Sequence, residues 1–278
     1  MIIKKVLVLG GTHGNERTGI ALVKLLKDTF KSTYGFELDF AISNERASKE
    51  NVRFIDEDLN RVFKNSHSST YESIRAKELK EKINDETFVI DLHTTTSNMG
   101  ETVILTHKDE LTNKVVLRTK EQYPSVKIIK SAQYGHKSGY VNSISNHGLL
   151  VEMGPISTGL VRYNFLMLMK KVLFSILDSI EEINNGNDPH TKEVEHFQYT
   201  TAIPFPKDKN GEINSFVHPS VIGQDFQMIK EGDPLFIDQY GKDILHQGEE
   251  FYPVFVNEAA YYVVGNGVGV TKKVFGSL

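Results

Sequence analysis

The stretch KVLVLGGTHGNE, residues 5–16, places a short apolar run directly before a glycine-rich turn that carries His13 and Glu16. An apolar run that contains β-branched valines is typical of a strand covered on both faces. Residues 17–31 follow with apolar side chains at helical spacing. This order of strand, turn and helix predicts the beginning of an α/β fold. A plain strand-to-helix turn needs neither an imidazole nor a carboxylate, so the turn itself is a candidate site.

Further along the chain, apolar runs and amphipathic segments continue to alternate. We predict strands at residues 36–43, 88–93, 101–106, 125–130 and 148–153, and helices at residues 71–83 and 158–184. Such an order predicts an α/β fold in which helices cover both faces of one sheet.

The pattern changes after the polar stretch NNGNDPH, residues 184–190, which has the composition of a linker. Beyond it the chain has short β-rich runs divided by turns such as DKNGE, residues 208–212, and no convincing helix. We therefore predict a larger catalytic domain at residues 1–187 and a smaller β domain at residues 188–278.

Composition narrows the classes of function. The chain has 278 residues, a formal net charge of −4 and no cysteine. The charge gives no basic footprint for nucleic acid or for a membrane surface, and no apolar stretch approaches the roughly 20 residues that cross a bilayer. We expect a cytoplasmic protein with a small-molecule partner. Without cysteine, a metal ion must be held by His, Asp or Glu.

Two histidines and a glutamate follow predicted strands. In open α/β sheets, active sites lie beyond the carboxyl ends of the strands. His13 and Glu16 come after one strand, and His93 ends another, FVIDLH. Two His and one Glu form a known catalytic zinc set that leaves a fourth position for water. Asp91, on the same side of its strand as His93, can accept the imidazole N–H. The alternative is purely structural: a helix cap and backbone hydrogen bonds.

Four further polar residues are candidates for the chemistry. Glu152 ends the apolar strand GLLVE, where a carboxylate is costly unless it is paired, solvated or functional. It can take a proton from a metal-activated water, or it can be a salt-bridged strand end. Arg53, Asn60 and Arg61 lie in RFIDEDLNR. Their groups suit the binding of a carboxylate and the polarisation of a carbonyl, although a solvated charged loop is the alternative.

Taken together, the strings GGTHGNE, DLNR, DLHTTTSNMG, VEMGP and YPVFVNEAAYY resemble the aspartoacylase family of zinc amidohydrolases, which includes the succinylglutamate desuccinylases. The resemblance covers residues 5–262 and implies a zinc-carboxypeptidase-like mixed sheet with helices on both faces. It implies that the C-terminal β domain narrows the mouth of the cleft, so that small N-acyl amino acids and not peptides are substrates. It also implies one Zn²⁺ per subunit on His13, Glu16 and His93, and a homo-oligomer.

The resemblance also implies a role for each remaining candidate. Glu152 would be the general base and then the proton donor to the leaving amine. Arg53 would polarise the scissile carbonyl. Asn60 and Arg61 would hold the α-carboxylate, and Tyr261 would reach from the β domain to position the substrate.

The sequence departs from the aspartate-specific members at two positions. Those enzymes hold the substrate's β-carboxylate with an arginine and a lysine, where this chain has Asn142 and Gly265. Each lost hydrogen bond to a charged partner removes roughly 1.5–3 kcal/mol. Asn142 stays a candidate substrate contact, and His136, Lys137 or Tyr140 are candidates to compensate.

The substrate therefore remains open at this stage. The string SISNHGLLVEMGP is closer to the sister branch, the third aminoacylase, which acts on N-acetyl aromatic amino acids. We predict the aspartoacylase reaction, in which N-acetyl-L-aspartate and water give acetate and L-aspartate. The alternatives are deacetylation of N-acetyl aromatic or other neutral amino acids, and hydrolysis of succinylglutamate. Two other classes compete with these: a zinc-dependent binding protein and a zinc carboxypeptidase that acts on peptides.

Overall fold

The computed structural model of the protein describes residues 2–64, 69–131 and 139–278. Within these ranges the chain forms a nine-stranded mixed sheet, a three-stranded antiparallel sheet and several helices. The strands are β1 (Lys5–Gly10), β2 (Glu37–Ile42), β3 (Thr87–Thr94), β4 (Gly100–Leu105), β5 (Lys127–Lys130), β6 (His147–Gly154), β7 (Val194–Pro204), β8 (Ser215–Val217), β9 (Pro234–Asp238), β10 (Asp243–Leu245), β11 (Tyr252–Val254) and β12 (Asn266–Gly276). The helices are α1 (Arg17–Thr29), α2 (Glu45–Glu50), α3 (Leu59–Val62), α4 (Tyr71–Lys82), α5 (Glu110–Gln122), α6 (Tyr163–Asn184) and α7 (Tyr261–Val264). Val141–Ile144 is one turn of 3-10 helix.

The order of strands in the large sheet is β11-β12-β7-β5-β4-β6-β3-β1-β2. β6, β3 and β1 are neighbours and run parallel, whereas β4 runs antiparallel to β6. The carboxyl ends of β1, β3 and β6 therefore meet at one edge of the sheet. This is the edge at which the sequence places its candidate metal ligands and Glu152.

Helices cover both faces of the sheet, as predicted. Side chains alternate along β1, so that Val6 and Val8 pack with α1, α5 and α6, while Leu7 and Leu9 pack with α3 and α4. Each face has its own buried apolar cluster, which explains why the predicted strands have apolar residues at every position and not at alternate ones.

Two of the longer helices differ from the prediction, and the short helices α2 and α3 were not predicted. Residues 110–122, for which the pattern predicts no element, form α5, which is capped by the Asp109 carboxylate that accepts the Thr112 N–H at 2.8 Å. Polar residues interrupt the apolar side of this helix and weaken its periodicity. α6 begins at Tyr163 and not at residue 158, because Gly159 has a left-handed φ of 79° that a helix cannot contain.

The C-terminal part of the chain contributes to both sheets. β7 pairs with β5 and with β12, so these strands extend the large sheet, while β8, β9 and β10 form the small one. The predicted absence of helix there is wrong by one turn, α7, which is too short to give a periodic pattern and ends at Gly265. The predicted division at residues 187 and 188 falls between α6 and β7 and stays a prediction.

Across residues 2–64, 69–131 and 139–278, none of the helices combines the length and the apolar character that a membrane span requires.

Candidate metal centre and its surroundings

His13, Glu16 and His93 come together at the shared edge of β1 and β3. Their potential ligand atoms lie within 4.8 Å of one another, and all three residues are buried. His13 Nδ1 is 2.6 Å from Glu16 Oε1, and His93 Nδ1 is 2.9 Å from Glu16 Oε2. We call these three residues the metal group, because two imidazole nitrogens and a carboxylate are a donor set that divalent metals such as zinc take.

Glycine allows the loop that carries His13 to pack tightly. A Cβ at Gly14 would lie 2.0 Å from the backbone carbonyl carbon of Ala47 in α2, so the two backbones are in direct contact there. The Gly14 N–H also donates to the Arg53 carbonyl at 3.1 Å. Because Gly14 has no side chain, the loop fits between α2 and the segment that contains Arg53.

Each imidazole of the metal group is backed by a second carboxylate. His93 Nε2 is 2.7 Å from Asp91 Oδ2, as the sequence predicted, and His13 Nε2 is 3.1 Å from Asp58 Oδ1. Such a partner fixes the ring so that its other nitrogen, here Nδ1, faces the metal position. Asp58 was not identified from the sequence, although it belongs to the quoted string DLNR.

The charges in the group are strongly coupled. Burial raises the pKa of Glu16, but His13 and His93 outweigh burial and hold that pKa well below its usual range. Burial lowers the pKa of His93, but Asp91 and Glu16 outweigh it and raise the pKa well above normal. The pocket therefore favours positive charge between its carboxylates. A divalent cation supplies that charge in place of the imidazole protons, since metal-binding His is unprotonated.

Glu152 lies beside the metal group. It is paired in register with His93 across the parallel strands β6 and β3, and its side chain is almost completely buried. Burial raises the pKa of Glu152 well above normal, and the negative charges of Glu16 and Glu258 add to this, although His93 and Arg53 oppose them. The carboxyl group of Glu152 therefore keeps its proton to a higher pH than an exposed glutamate does.

Arg53 lies between two carboxylates of the centre. Its Nη2 is 3.1 Å from Asp58 Oδ2, and its Nη1 is 3.6 Å from Glu16 Oε1. The guanidinium is a quarter exposed, so it faces both the metal group and solvent. Burial raises the pKa of Asp58, but the hydrogen bond to His13 and the charges of His13 and Arg53 hold it well below normal.

The other two candidate residues of RFIDEDLNR, Asn60 and Arg61, also lie near the metal group. Asn60 Nδ2 is 3.4 Å from His93 Nε2, and the Asn60 side-chain oxygen accepts the Val141 N–H at 3.0 Å. Arg61 donates to the Asn60 carbonyl at 2.8 Å, and its guanidinium carbon is 5.4 Å from the centre of the Tyr140 ring. Arg53 and Asn60 thus contact the metal group, and Arg61 lies beside Asn60.

Tyr261 is linked to the surroundings of Arg61 through two other tyrosines, Tyr199 and Tyr140. Its hydroxyl is hydrogen bonded to that of Tyr199, and burial, followed by Tyr199, raises the pKa of Tyr261 well above normal. Tyr140, the residue beneath Arg61, also contributes to that shift. We call Tyr140, Tyr199 and Tyr261 the tyrosine cluster.

Asn142 follows Val141, whose N–H reaches Asn60, but its own side chain contacts Thr106. Asn142 is completely buried, and its amide donates to Thr106 Oγ1 at 2.5 Å. Thr106 follows the β4 residue that pairs with Leu149, and Leu149 is about 10 Å along β6 from Glu152, at roughly 3.3 Å per residue. The described contact of Asn142 is therefore away from the metal group, and its contact with a substrate stays a prediction.

The second position without the expected cation is Gly265, where α7 ends at a φ of 75°. The nearest side chain there is Lys207, whose Nζ is 3.4 Å from the point that a Cβ would occupy. Of the residues proposed to compensate, Tyr140 contacts Arg61, whereas His136 and Lys137 lie outside the described residues.

Glu258 is a further residue near the centre that was not identified from the sequence, although it belongs to the quoted string YPVFVNEAAYY. The buried Glu258 carboxylate accepts the Thr96 N–H at 2.8 Å and the Thr96 hydroxyl at 3.0 Å, and it also accepts the Thr95 hydroxyl. A residue of the C-terminal segment thus holds the loop that directly follows His93. The sequence does not reveal this contact, because the two segments are far apart in the chain.

Comparison with known proteins matches both parts of the chain. Residues 2–180 match the succinylglutamate desuccinylase/aspartoacylase catalytic domain, and residues 192–273 match the AstE/AspA barrel-sandwich hybrid domain. The chain is 38% identical to the N-acyl-aromatic-L-amino acid amidohydrolase (carboxylate-forming) of Xenopus laevis, over 94% of this chain and 91% of that protein. It is 34% identical to a probable aspartoacylase of Trichodesmium erythraeum, over 98% and 97% of the two chains.

A solved structure agrees with these sequence matches. The crystal structure of murine aminoacylase 3 superposes with a TM-score of 0.92 at 30% identity, and the match covers 99% of this chain and 97% of that one. The predicted fold and the predicted resemblance are both confirmed. This chain belongs to the succinylglutamate desuccinylase/aspartoacylase family.

Proposed function

We propose that the chain hydrolyses the amide bond of small N-acyl-L-amino acids, with one zinc ion per subunit held by His13, Glu16 and His93. The observation that carries the proposal is Glu152, a buried carboxyl group in register with His93 beside a set of three metal ligands. A closed structural zinc site has four protein ligands and needs no base, so this arrangement favours catalysis over metal-dependent binding alone.

Each residue of the centre has its own role in the proposed reaction. A zinc ion, when bound, polarises the acyl carbonyl and lowers the pKa of water. Glu152 takes a proton from the attacking water and then gives it to the amine nitrogen as the C–N bond breaks. Arg53 donates to the carbonyl oxygen as negative charge develops there. The products are a carboxylic acid and a free amino acid.

Arg61 and Asn60 bind the α-carboxylate in this proposal. The guanidinium of Arg61 offers a planar pair of donors to a carboxylate. The tyrosine cluster lies next to Arg61 and supplies aromatic surface for the substrate side chain, with Tyr261 as a positioning contact. Among the described residues, neither Asn142 nor Gly265 presents a cation there. We therefore propose that aromatic and neutral side chains are preferred, and the name of the Xenopus laevis relative supports this choice.

A second candidate substrate is N-acetyl-L-aspartate. The Lys207 ammonium group near Gly265 can pair with a second carboxylate, and several relatives are named as probable aspartoacylases. Succinylglutamate also carries a second carboxylate, on a longer side chain, and would need the Lys207 ammonium group to pair with it.

The test is release of amino acid by the zinc-loaded protein, measured as kcat/KM. N-acetyl-L-tyrosine, N-acetyl-L-aspartate, N-succinyl-L-glutamate and a short peptide with a free carboxyl end are compared. We expect the highest value for tyrosine, none for the peptide, and loss of release after chelation with recovery on adding Zn²⁺. A preference for aspartate supports the second candidate. Release from none of the acyl amino acids would contradict the proposed reaction.

Two further expectations belong to this proposal. We propose that the protein is cytoplasmic. We also expect it to form a homo-oligomer, as its resemblance to the family implies. Sedimentation velocity of the purified chain measures the assembly directly, and a sedimentation coefficient of a 31.4 kDa monomer at micromolar concentration would contradict it.

A further inference from the structure

Glu72 is a buried carboxylate outside the metal centre. It lies in the first turn of α4 and is completely inaccessible to solvent. Four N–H groups donate to its carboxylate: Ile55 N at 2.7 Å and Asn44 Nδ2 at 3.0 Å reach Oε1, and Asp56 N at 3.0 Å and Glu57 N at 3.3 Å reach Oε2. A buried carboxylate is costly, so its donors are the reason that this position accepts one.

The three consecutive amides belong to the segment that carries Arg53 and Asp58. We call residues 51–58 the arginine loop; it contains no helix or strand. Arg53 and Asp58 lie on either side of the amides at 55–57. The Glu72 carboxylate therefore determines the path of the loop between the two side chains that contact Glu16 and His13.

Asn44 extends the same network to the loop of His13. Its side chain donates to Glu72, and its backbone N–H donates to the Gly11 carbonyl at 3.1 Å. The Gly14 N–H in turn donates to the Arg53 carbonyl. One carboxylate thus joins α4, the arginine loop and the loop of the metal group.

We propose that Glu72 is a positioning residue for the reaction, which holds the arginine loop so that Arg53 faces the metal group. This inference rests on the proposed function. Arg61 and Asn60 lie in α3, beyond the three amides, so the effect of Glu72 falls on Arg53 more than on the α-carboxylate site.

The test is Glu72→Gln, which keeps the size of the side chain but replaces one acceptor oxygen by an NH2 group. We expect kcat to fall about ten- to hundredfold, the range produced by a small misplacement of a catalytic group, while KM changes by less than about threefold. Glu81→Gln, on an exposed part of the same helix, is the matched control and should leave kcat unchanged.

A double-mutant cycle with Arg53→Ala separates positioning from general destabilisation. If Glu72 acts through Arg53, Glu72→Gln lowers kcat by less than about threefold in the Arg53→Ala background. Full loss in both backgrounds, or an unchanged kcat in the single variant, would overturn the inference. If the wild type is inactive on every acyl amino acid, the proposed function fails instead.

Amide hydrogen exchange tests the contact without any assay of activity. In Glu72→Gln the amides of residues 55–57 should exchange faster than in the wild type, and unchanged protection would overturn the inference. Should this variant not fold, Asn44→Ser keeps an oxygen to cap α2 but removes one donor to Glu72. It should lower kcat several-fold with the same dependence on Arg53, and an independent effect would count against the proposal.

Discussion

At the scale of single residues, this centre is organised by carboxylates that hold imidazoles. Glu16 faces Nδ1 of both His13 and His93, while Asp58 and Asp91 face the two Nε2 atoms. Each ring therefore has one orientation, with its Nδ1 turned toward Glu16, the third residue of the metal group. The same residues place Arg53 beside the group, because Asp58 binds it as well.

Glu152→Gln tests the role of the buried carboxyl group. The amide cannot accept a proton from water, so we expect kcat to fall by about 10²–10⁴. Zinc content should stay at one per chain, because Glu152 is not in the metal group. Metal analysis and steady-state kinetics on the same preparation check both parts. A variant with wild-type kcat would remove Glu152 from the mechanism.

Asp58→Asn tests the support of His13. We expect zinc affinity to fall about 10- to 100-fold, because the amide no longer stabilises the ring orientation in which Nδ1 binds metal. Asp56→Asn is a control in the same loop, since the Asp56 carboxylate accepts the Tyr71 N–H and does not reach His13. Competition with a chelator gives both affinities. Equal losses in the two variants would assign the effect to the loop as a whole.

At the scale of elements, the loop between β1 and α1 depends on close approach to α2. The apolar patterns of β1 and α1 predict both elements. The helix α2 has only six residues and shows no such pattern. The contact with α2 explains the glycine at position 14, which the pattern of the strand alone does not.

Gly14→Ala should displace this loop. The new Cβ would lie 2.0 Å from backbone atoms of α2, which cannot move as a side chain does. We expect a loss of roughly 1–3 kcal/mol in the free energy of unfolding, typical of overpacking, together with weaker zinc binding. Gly276→Ala, where an added Cβ meets no atom within 4 Å, is the control. Chemical denaturation measures both, and similar stabilities would refute the close packing.

At the scale of the whole molecule, two carboxylates of the C-terminal segment hold the loop after His93. Glu258 accepts from Thr95 and Thr96, and Asp225 accepts the Asn98 N–H at 3.0 Å and the Val256 N–H at 3.1 Å. The loops of the C-terminal segment thereby support the loop next to the metal group, while its strands extend the sheet. Residues more than 120 positions apart in the chain meet there.

Asp225 should make stability depend on pH. Burial raises the pKa of Asp225 to about 6, although the N–H groups of Val256 and Asn98 oppose burial. An unfolded Asp has a pKa of about 3.9, so the folded state binds the proton more tightly. The stabilisation is present below about pH 4 and is lost as pH rises through about 6, a change of about 3 kcal/mol.

Asp225→Asn removes this dependence. The free energy of unfolding of the wild type, relative to the variant, should fall by up to about 3 kcal/mol between about pH 3 and pH 7. Urea unfolding of both proteins across this range measures the difference, in which other titrating groups cancel. A difference that is constant with pH would show that Asp225 has an ordinary pKa in the folded protein.

The amino-acid sequence alone is enough to predict the α/β class, most of the strands, the three longest-range helical patterns at α1, α4 and α6, and the three residues that form the metal group. Continuous apolar runs identified β1, β3 and β6, and their polar ends identified His13, His93 and Glu152, because a buried strand keeps polar groups only at its ends. These are local signals, carried by adjacent residues.

Which distant groups support that centre depends on how the chain packs. Asp58 and Glu258 lie in quoted strings and Glu72 lies in a helix, but their partners are N–H groups, hydroxyls and imidazoles that other segments bring to them. The same holds for Asn142, whose side chain faces Thr106 in the fold. The partner of a buried polar group depends on how the chain packs, and spacing along the sequence does not contain that information.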